Sequence, residues 1–282
     1  MKKLTLVAGI CMLTCAFMGC SKKTEKGEFT VQKGKLTIGM EIGYPPFEYY
    51  AEDGKTPVGF DVELGTEIAK RLDLDAEFID TAWDGIFAGL NTERYDVVIS
   101  AATITPERVE NFLFSNPYIG NGQAIIVRKD SNLKIKQFSD LQGLKVGYQA
   151  ETTSDIYTKK HSAGQFKYIE NAYDKVMNAY DDLRLKRIDA VVSDDLVAVN
   201  YLAPEDSPFK RVWGGTPDEY FGICMKNDNT VLQEKINAVL EEMKADGTLK
   251  SIYIKIFGMD LSSSIQSYIL VYRRTCIYGN YK

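Results

Sequence analysis

The stretch from Asp96 to Arg108, DVVISAATITPER, carries the residue types needed to hold a small carboxylate. Ser100 and Thr103 offer hydroxyls, and Ala101 and Ala102 leave backbone groups approachable because their side chains are small. Arg108 can grip a carboxylate with two parallel charge-assisted bonds, which a lysine cannot do. Asp96 to Ile99 is a short run rich in β-branched residues, the pattern of a strand covered on both faces in a parallel sheet. Polar residues just past the carboxyl end of such a strand sit where open α/β sheets bind ligands. The plainer reading of the same residues is a strand, a turn and an Arg paired with Glu107 or Glu110.

A second stretch weakens that plainer reading. Leu90 to Ser100 reads LNTERYDVVIS and Leu183 to Ser193 reads LRLKRIDAVVS, with Leu, Arg, Asp, Val and Ser in register. Helix-then-strand units share composition, so so short a repeat also arises by chance. Each copy nevertheless ends in groups suited to one pole of an amino acid. The first runs into Ser100, Thr103 and Arg108, the second into Ser193 and Asp194.

Other elements must position these groups. Lys35 to Glu41 reads as a first strand, and Gly43-Tyr44-Pro45-Pro46-Phe47 as a rigid aromatic loop, because paired prolines exclude helix. Gly59 to Leu72 places Phe60, Leu64, Ile68 and Leu72 on one helical face. Ala76 to Ile79 reads as a strand, and Trp83 to Leu90 as a turn and short helix. Gln123 to Arg128, QAIIVR, is taken as the first crossing between two lobes, and Leu144 to Tyr148 as the first strand of the second. Gln149 to Asp155 follows that strand as a helix N-terminus whose free N–H groups suit an anion. Tyr173 to Lys186 reads as a helix and Ile188 to Val192 as its strand. Glu219 to Met225 should return the chain to the first lobe, where two helices follow, one built on Leu232, Ile236, Val239, Leu240 and Met243 and the last over Leu249 to Phe257.

Composition narrows the function classes. A chain of 282 residues forms one large or two ordinary domains. A formal charge of −5 gives no reason to expect nucleic acid as a ligand. The one histidine, His161, has no companion for a zinc site or a catalytic triad and is read as a solvated surface residue. Cys11, Cys15 and Cys20 precede the body of the chain, which leaves Cys224 and Cys276 and no disulfide framework. Residues 1–20 have the basic start and short apolar run of a secretory leader, too short for a comfortable membrane span. Residues 21–34 are polar and read as a flexible tether.

The motifs GYPPFEYY, PVGFDVELGTEIAKRL, AWDGIFAGL, DVVISAATITPER, GLKVGYQAETTSD and DAVVSDD, in this order and spacing, resemble the family 3 bacterial extracellular solute-binding proteins. These are the amino-acid-binding receptors of ABC transporters, and the resemblance spans residues 35–260. It implies an α/β protein of the periplasmic-binding-protein type II fold, two α/β lobes joined by two crossover strands with the ligand in the cleft. Lobe 1 would comprise 35–125 and 221–260, and lobe 2 residues 126–220. Gly19-Cys20 is similar to a lipoprotein cleavage box, which implies lipidation of Cys20 and an extracytoplasmic receptor anchored to a membrane. The tail, 261–282, lies beyond the family pattern. It could be an altered reading frame, a loose extension or a contact strand.

The resemblance also distributes roles. Arg108 would bind the α-carboxylate, assisted by Ser100, Thr103 and the N–H groups of Ala101 and Thr152 or Thr153. Asp194 would hold the α-ammonium. Tyr44, Phe47 and Trp83 would face the ligand side chain, Glu41 would meet its distal charge and Gln149 would floor the pocket. Similar receptors have a glycine where this chain has Glu151. The implied ligand is an L-amino acid, arginine or lysine first and glutamine or cystine next, delivered by a monomer to an ABC permease without cofactor, metal or catalysis. The same fold also serves cyclohexadienyl dehydratases, which are enzymes, and extracellular sensors. An acid retained at Asp194 favours binding an amino acid over the dehydratase, whose substrates lack the α-ammonium.

Overall fold

A computed structural model describes residues 29–162 and 167–266. The leader with Cys20, most of the tether, and tail residues 267–282 lie outside the described residues. The chain begins with β1 (Lys35–Met40), a small ribbon of β2 (Tyr49–Tyr50) and β3 (Pro57–Val58), α1 (Phe60–Arg71) and β4 (Asp75–Asp80). It continues through α2 (Ile86–Asn91), β5 (Val97–Val98), α3 (Pro106–Val109), β6 (Phe112–Phe114) and β7 (Ile119–Asn121). Next come β8 (Gln123–Arg128), β9 (Lys145–Gln149), α4 (Thr153–Ser162), β10 (Ile169–Tyr173), α5 (Val176–Arg184), β11 (Ala190–Asp194), α6 (Asp195–Leu202) and β12 (Phe209–Gly214). β13 (Glu219–Phe221), β14 (Cys224–Lys226), α7 (Thr230–Ala245) and α8 (Thr248–Phe257) complete it.

Two mixed sheets of the same design result. The first has the order β4-β1-β5-β14-β6 and the second β10-β9-β11-β8-β12. In each, the first three strands are parallel and the next two pair antiparallel. The sequence repeat falls on equivalent units, α2 into β5 and α5 into β11. Leu90 and Leu183 are both buried. Glu93 and Lys186, at matching positions, both turn the chain with positive φ, 56° and 62°. Asp96 accepts the backbone N–H of Thr37 next to it in β1, and Asp189 accepts that of Lys145 in β9, at 2.7 and 2.9 Å. The repeat is therefore structural.

Helix α1 follows its amphipathic pattern, with Phe60, Leu64 and Ile68 buried and acids in its first turn opposing Lys70 and Arg71 in its last. Gly59, at φ 126°, begins it where a Cβ would lie 2.2 Å from the Phe47 carbonyl oxygen, so only glycine fits.

Four expectations need adjustment. QAIIVR is not the crossing: β8 is buried along nearly its whole length in the second sheet, and the lobes are joined instead by β7 and β13, paired antiparallel. An all-apolar run reads alike in both settings, and only its sheet neighbours distinguish them. The helix expected from Tyr173 begins at Val176, because Tyr173 completes β10. His161 is half-buried, its ring 4.3 Å from that of Tyr157 and 4.7 Å from that of Phe138. The start of the unexplained tail packs on the crossing: Gly120 N–H donates to Ser264 Oγ at 2.9 Å, and Ile265 is buried.

Candidate ligand-binding cleft

The two lobes meet at a cleft lined by every sequence-predicted ligand-binding residue except Phe47. Glu41, Tyr44, Trp83, Ser100, Ala101, Thr103 and Arg108 come from the first lobe, and Gln149, Thr152, Thr153 and Asp194 from the second. The lobes are closed on one another. The cavity left between them is only about 10 Å³, about one water molecule's worth. Hydrogen bonds that cross the gap include Tyr44 Oη to Asp194 Oδ2 at 2.5 Å, Gln149 Nε2 to Glu41 Oε2 at 2.7 Å, and Trp83 Nε1 to the Glu151 carbonyl at 3.1 Å.

Arg108 sits in α3, a single turn started by Thr105, whose hydroxyl accepts the Arg108 N–H, and by Pro106 at the first helical position. Its Nη1 donates to the Thr103 carbonyl at 2.9 Å, and its guanidinium lies 4.8 Å from the Phe87 ring centre and 5.3 Å from that of Trp83. Stacking on two rings fixes the plane of the fork while leaving further N–H donors for an anion. Burial pulls its pKa down, opposed by nearby groups that include Asp194 and Glu219, yet an arginine stays charged. Among the described residues, no acid forms an ion pair with it.

Thr152 and Thr153 enter α4, where the first N–H groups have no intrahelical partner. Thr152 Oγ1 donates to the Gln149 carbonyl at 2.8 Å, and Thr153 Oγ1 lies 3.4 Å from Thr103 Oγ1. Glu151 just before them adopts φ 61°, a left-handed conformation that costs a non-glycine residue about 1–2 kcal/mol. A glycine at this position would adopt the same conformation without that cost.

Two expected carboxylate donors are otherwise engaged. Ser100 Oγ donates to Glu48 Oε1 at 2.5 Å and accepts the Glu41 N–H at 3.0 Å. Ala101 N–H donates to Asp61 Oδ2 at 2.6 Å. Both hydrogens point into the wall behind the pocket, because two buried acids there require them. Phe47 is also corrected. It is fully buried, with ring centres at 5.4 to 6.0 Å from Phe221, Phe257 and Phe60, and belongs to the core.

Asp194, at the end of β11, is buried and well supplied with donors. Besides Tyr44, its Oδ1 accepts Asn121 Nδ2 and Gln123 Nε2, each at 2.8 Å. Burial raises its pKa against those hydrogen bonds. Glu219 on β13, missed in the sequence, stands beside it. Glu219 accepts Gln123 Nε2 at 3.0 Å and Thr153 Oγ1 at 3.2 Å. Burial first, and Asp194 second, push its pKa to about 7. The only signal was an acid opening the return strand; its pairing with Asn121 is set by tertiary register.

At the far end, Glu41 is buried and its pKa rises to about 7, mainly through desolvation, with the Gln149 bond and Lys175 opposing. The cleft thus offers a guanidinium at one pole, an acid pair at the second and a lone buried acid at the third.

The chain has counterparts among known proteins. The family model for bacterial extracellular solute-binding proteins, family 3, matches residues 36–259. The L-cystine-binding protein TcyJ of Escherichia coli (strain K12) is 33% identical over 91% of this chain and 93% of its own. The ABC transporter arginine-binding protein 1 of the same strain is 34% identical over 77% and 88%. Among solved structures, an ancestral arginine-binding protein bound to arginine superposes with a TM-score of 0.74 at 41% identity, covering 79% of this chain and 98% of that one. The folds shared are type II periplasmic binding proteins, and both named relatives are binding proteins. The chain belongs to the family 3 bacterial extracellular solute-binding proteins.

Proposed function

We propose that this chain is an extracytoplasmic receptor, lipidated at Cys20 and anchored to a membrane, that captures an L-amino acid and delivers it to an ABC permease without chemical change. The observation that carries the reading is the placement of Arg108 on one lobe and Asp194 on the other. A ligand bearing both an α-carboxylate and an α-ammonium gains both contacts only when the lobes are closed, so it favours closure by differential affinity. Thr103, Thr152 and Thr153 assist Arg108 at the carboxylate.

The side-chain subsite favours a cation. Glu41 is a buried acid with an aromatic ring, Trp83, in the same pocket, and a guanidinium or ammonium there would gain both a charge partner and a face to stack on. Arginine or lysine comes first, glutamine and cystine next, and the relatives include both arginine- and cystine-binding proteins. A micromolar receptor corresponds to about −8 kcal/mol, a scale that a few charge-assisted bonds of about 1.5–3 kcal/mol each can reach. A thermal-shift screen of residues 21–282 against the common L-amino acids and cystine tests the reading. A selective rise in Tm with one amino acid supports it. A flat response from protein freed of co-purified ligand contradicts it.

A further inference from the structure

Behind the pocket wall lie two carboxyl groups that the ligand does not need to touch. Glu48 follows the aromatic loop and Asp61 opens α1, and both are fully buried. Each uses one oxygen in an ordinary way. Glu48 Oε1 accepts from Ser100 Oγ, and Asp61 Oδ2 accepts from Ala101 N–H and, at 3.1 Å, from Tyr118 Oη. The remaining two oxygens, Glu48 Oε2 and Asp61 Oδ1, are buried without any donor. The two side chains nevertheless lie side by side: Asp61 N–H donates at 2.9 Å to the carbonyl of Phe47, the residue before Glu48, and the two carboxyls bind the adjacent residues Ser100 and Ala101. Two bare carboxylates are not stable in that position, because neither holds a hydrogen and their like charges repel in a low-dielectric interior.

We propose that Glu48 and Asp61 share a single proton between Glu48 Oε2 and Asp61 Oδ1, and that this singly charged pair sets the Ser100–Ala101 turn of the ligand site. One proton satisfies both orphaned oxygens and removes one of two buried charges. The pair then holds the Ser100 hydroxyl and the Ala101 N–H together, and Ala101 is a turn residue at φ 45°. Glu48 and Asp61 are positioning residues: they act on the ligand site through Ser100 and Ala101. Burial raises the pKa of both, Glu48 further because the Asp61 charge adds to it, while the Ala101 and Tyr118 bonds hold Asp61 back. The proton therefore resides mainly on Glu48. The other titratable groups facing the pair are Glu41, Tyr44 and Tyr118. Among the described residues, no Lys or Arg forms an ion pair with either acid.

The test uses amide substitutions, since an amide N–H can stand in for the shared proton. In Glu48→Gln the amide donates to Asp61 and its oxygen still accepts from Ser100. In Asp61→Asn the amide donates to an ionised Glu48 while its oxygen still accepts from Ala101 and Tyr118. Each single variant is expected to fold with a Tm near wild type. The double variant sets N–H₂ against N–H₂, so its Tm should fall far below the sum of the single effects. A second reading is the pH profile of Tm without ligand. Glu48 is protonated in the fold and ionised in the unfolded chain above its usual pKa, so wild-type stability declines as pH rises from about 4.5. Glu48→Gln removes this component, and its Tm gains on wild type steadily from pH 5 to pH 8. Additive effects in the double variant, a single variant that fails to fold, or a pH-independent Tm difference would each overturn the shared proton.

Discussion

The ends of β5 and β11 are two copies of one strand end that lead to opposite charges in the cleft, Arg108 and Asp194. Both follow a helix, a left-handed turn residue and an Asp that caps the neighbouring strand, and both reach a buried serine. They diverge in the next residue. After Ser100 the chain turns at Ala101 and reaches Arg108 through α3, whereas after Ser193 it passes directly into Asp194 and α6. The serines diverge too: Ser100 Oγ is tied to Glu48, and Ser193 Oγ lies 2.8 Å from Tyr180 Oη. A conserved scaffold geometry thus fixes where each pole lies, and the few residues past the strand fix its sign.

Removing either pole is the largest break in this comparison. Arg108→Ala and Asp194→Ala should each weaken amino-acid binding by about 2–5 kcal/mol, roughly 30-fold to several thousand-fold in Kd. Calorimetry on both variants would show losses of the same order, and a large loss in only one would break the two-pole description. A smaller effect separates the two capping acids. Asp96 is buried and accepts two backbone N–H groups and the Thr37 hydroxyl, whereas Asp189 is more accessible and accepts the Lys145 N–H. Denaturant unfolding should report about 1.5–3 kcal/mol lost in Asp96→Ala and about 1 kcal/mol in Asp189→Ala.

The side-chain pole sharpens the contrast through pH. Glu41 has its folded pKa raised from 4.5 to about 7. Free-protein stability from this group therefore falls as pH rises from about 4.5 through 7, where the unfolded chain has already released the proton. Binding of a cationic side chain favours the ionised form, so the Kd for L-arginine should tighten between pH 5.5 and 8 and level off above. Glu41→Gln should flatten that profile and cost about tenfold in affinity at pH 8, about 1.4 kcal/mol. The smallest expected effect is at the repeated turn. Glu93→Gly and Lys186→Gly should each raise stability by about 0.5–1 kcal/mol, because both native residues hold positive φ. Opposite signs at the two positions would show that the copies are not equivalent.

Much of this was legible in the sequence. The motif order indicated the family and fold, and the pocket gathers Arg108, Asp194, Trp83 and Glu41, the residues to which the resemblance gave ligand-facing roles. What was not legible depends on contacts far apart in the chain. The resemblance set Phe47 beside Tyr44 as a pocket wall, but the chain turns between them, with Phe47 N–H on the Tyr44 carbonyl at 3.0 Å, and the Phe47 ring packs in the core with Phe60 and Phe257. Ser100 and Ala101 looked like free donors until Glu48 and Asp61 were placed behind them. Glu219 gave no local signal beyond its place at the start of the return strand, since only the pairing of β7 with β13 brings it to Asp194.

The most direct test of the central claim is a calorimetric titration of Arg108→Ala with whichever L-amino acid most raises the Tm of the unaltered protein. The two-pole account predicts a Kd weakened by about 30-fold or more, up to loss of measurable heat, in a variant that still unfolds cooperatively. A Kd equal to that of the unaltered protein would contradict it, and would move the carboxylate site away from the end of β5.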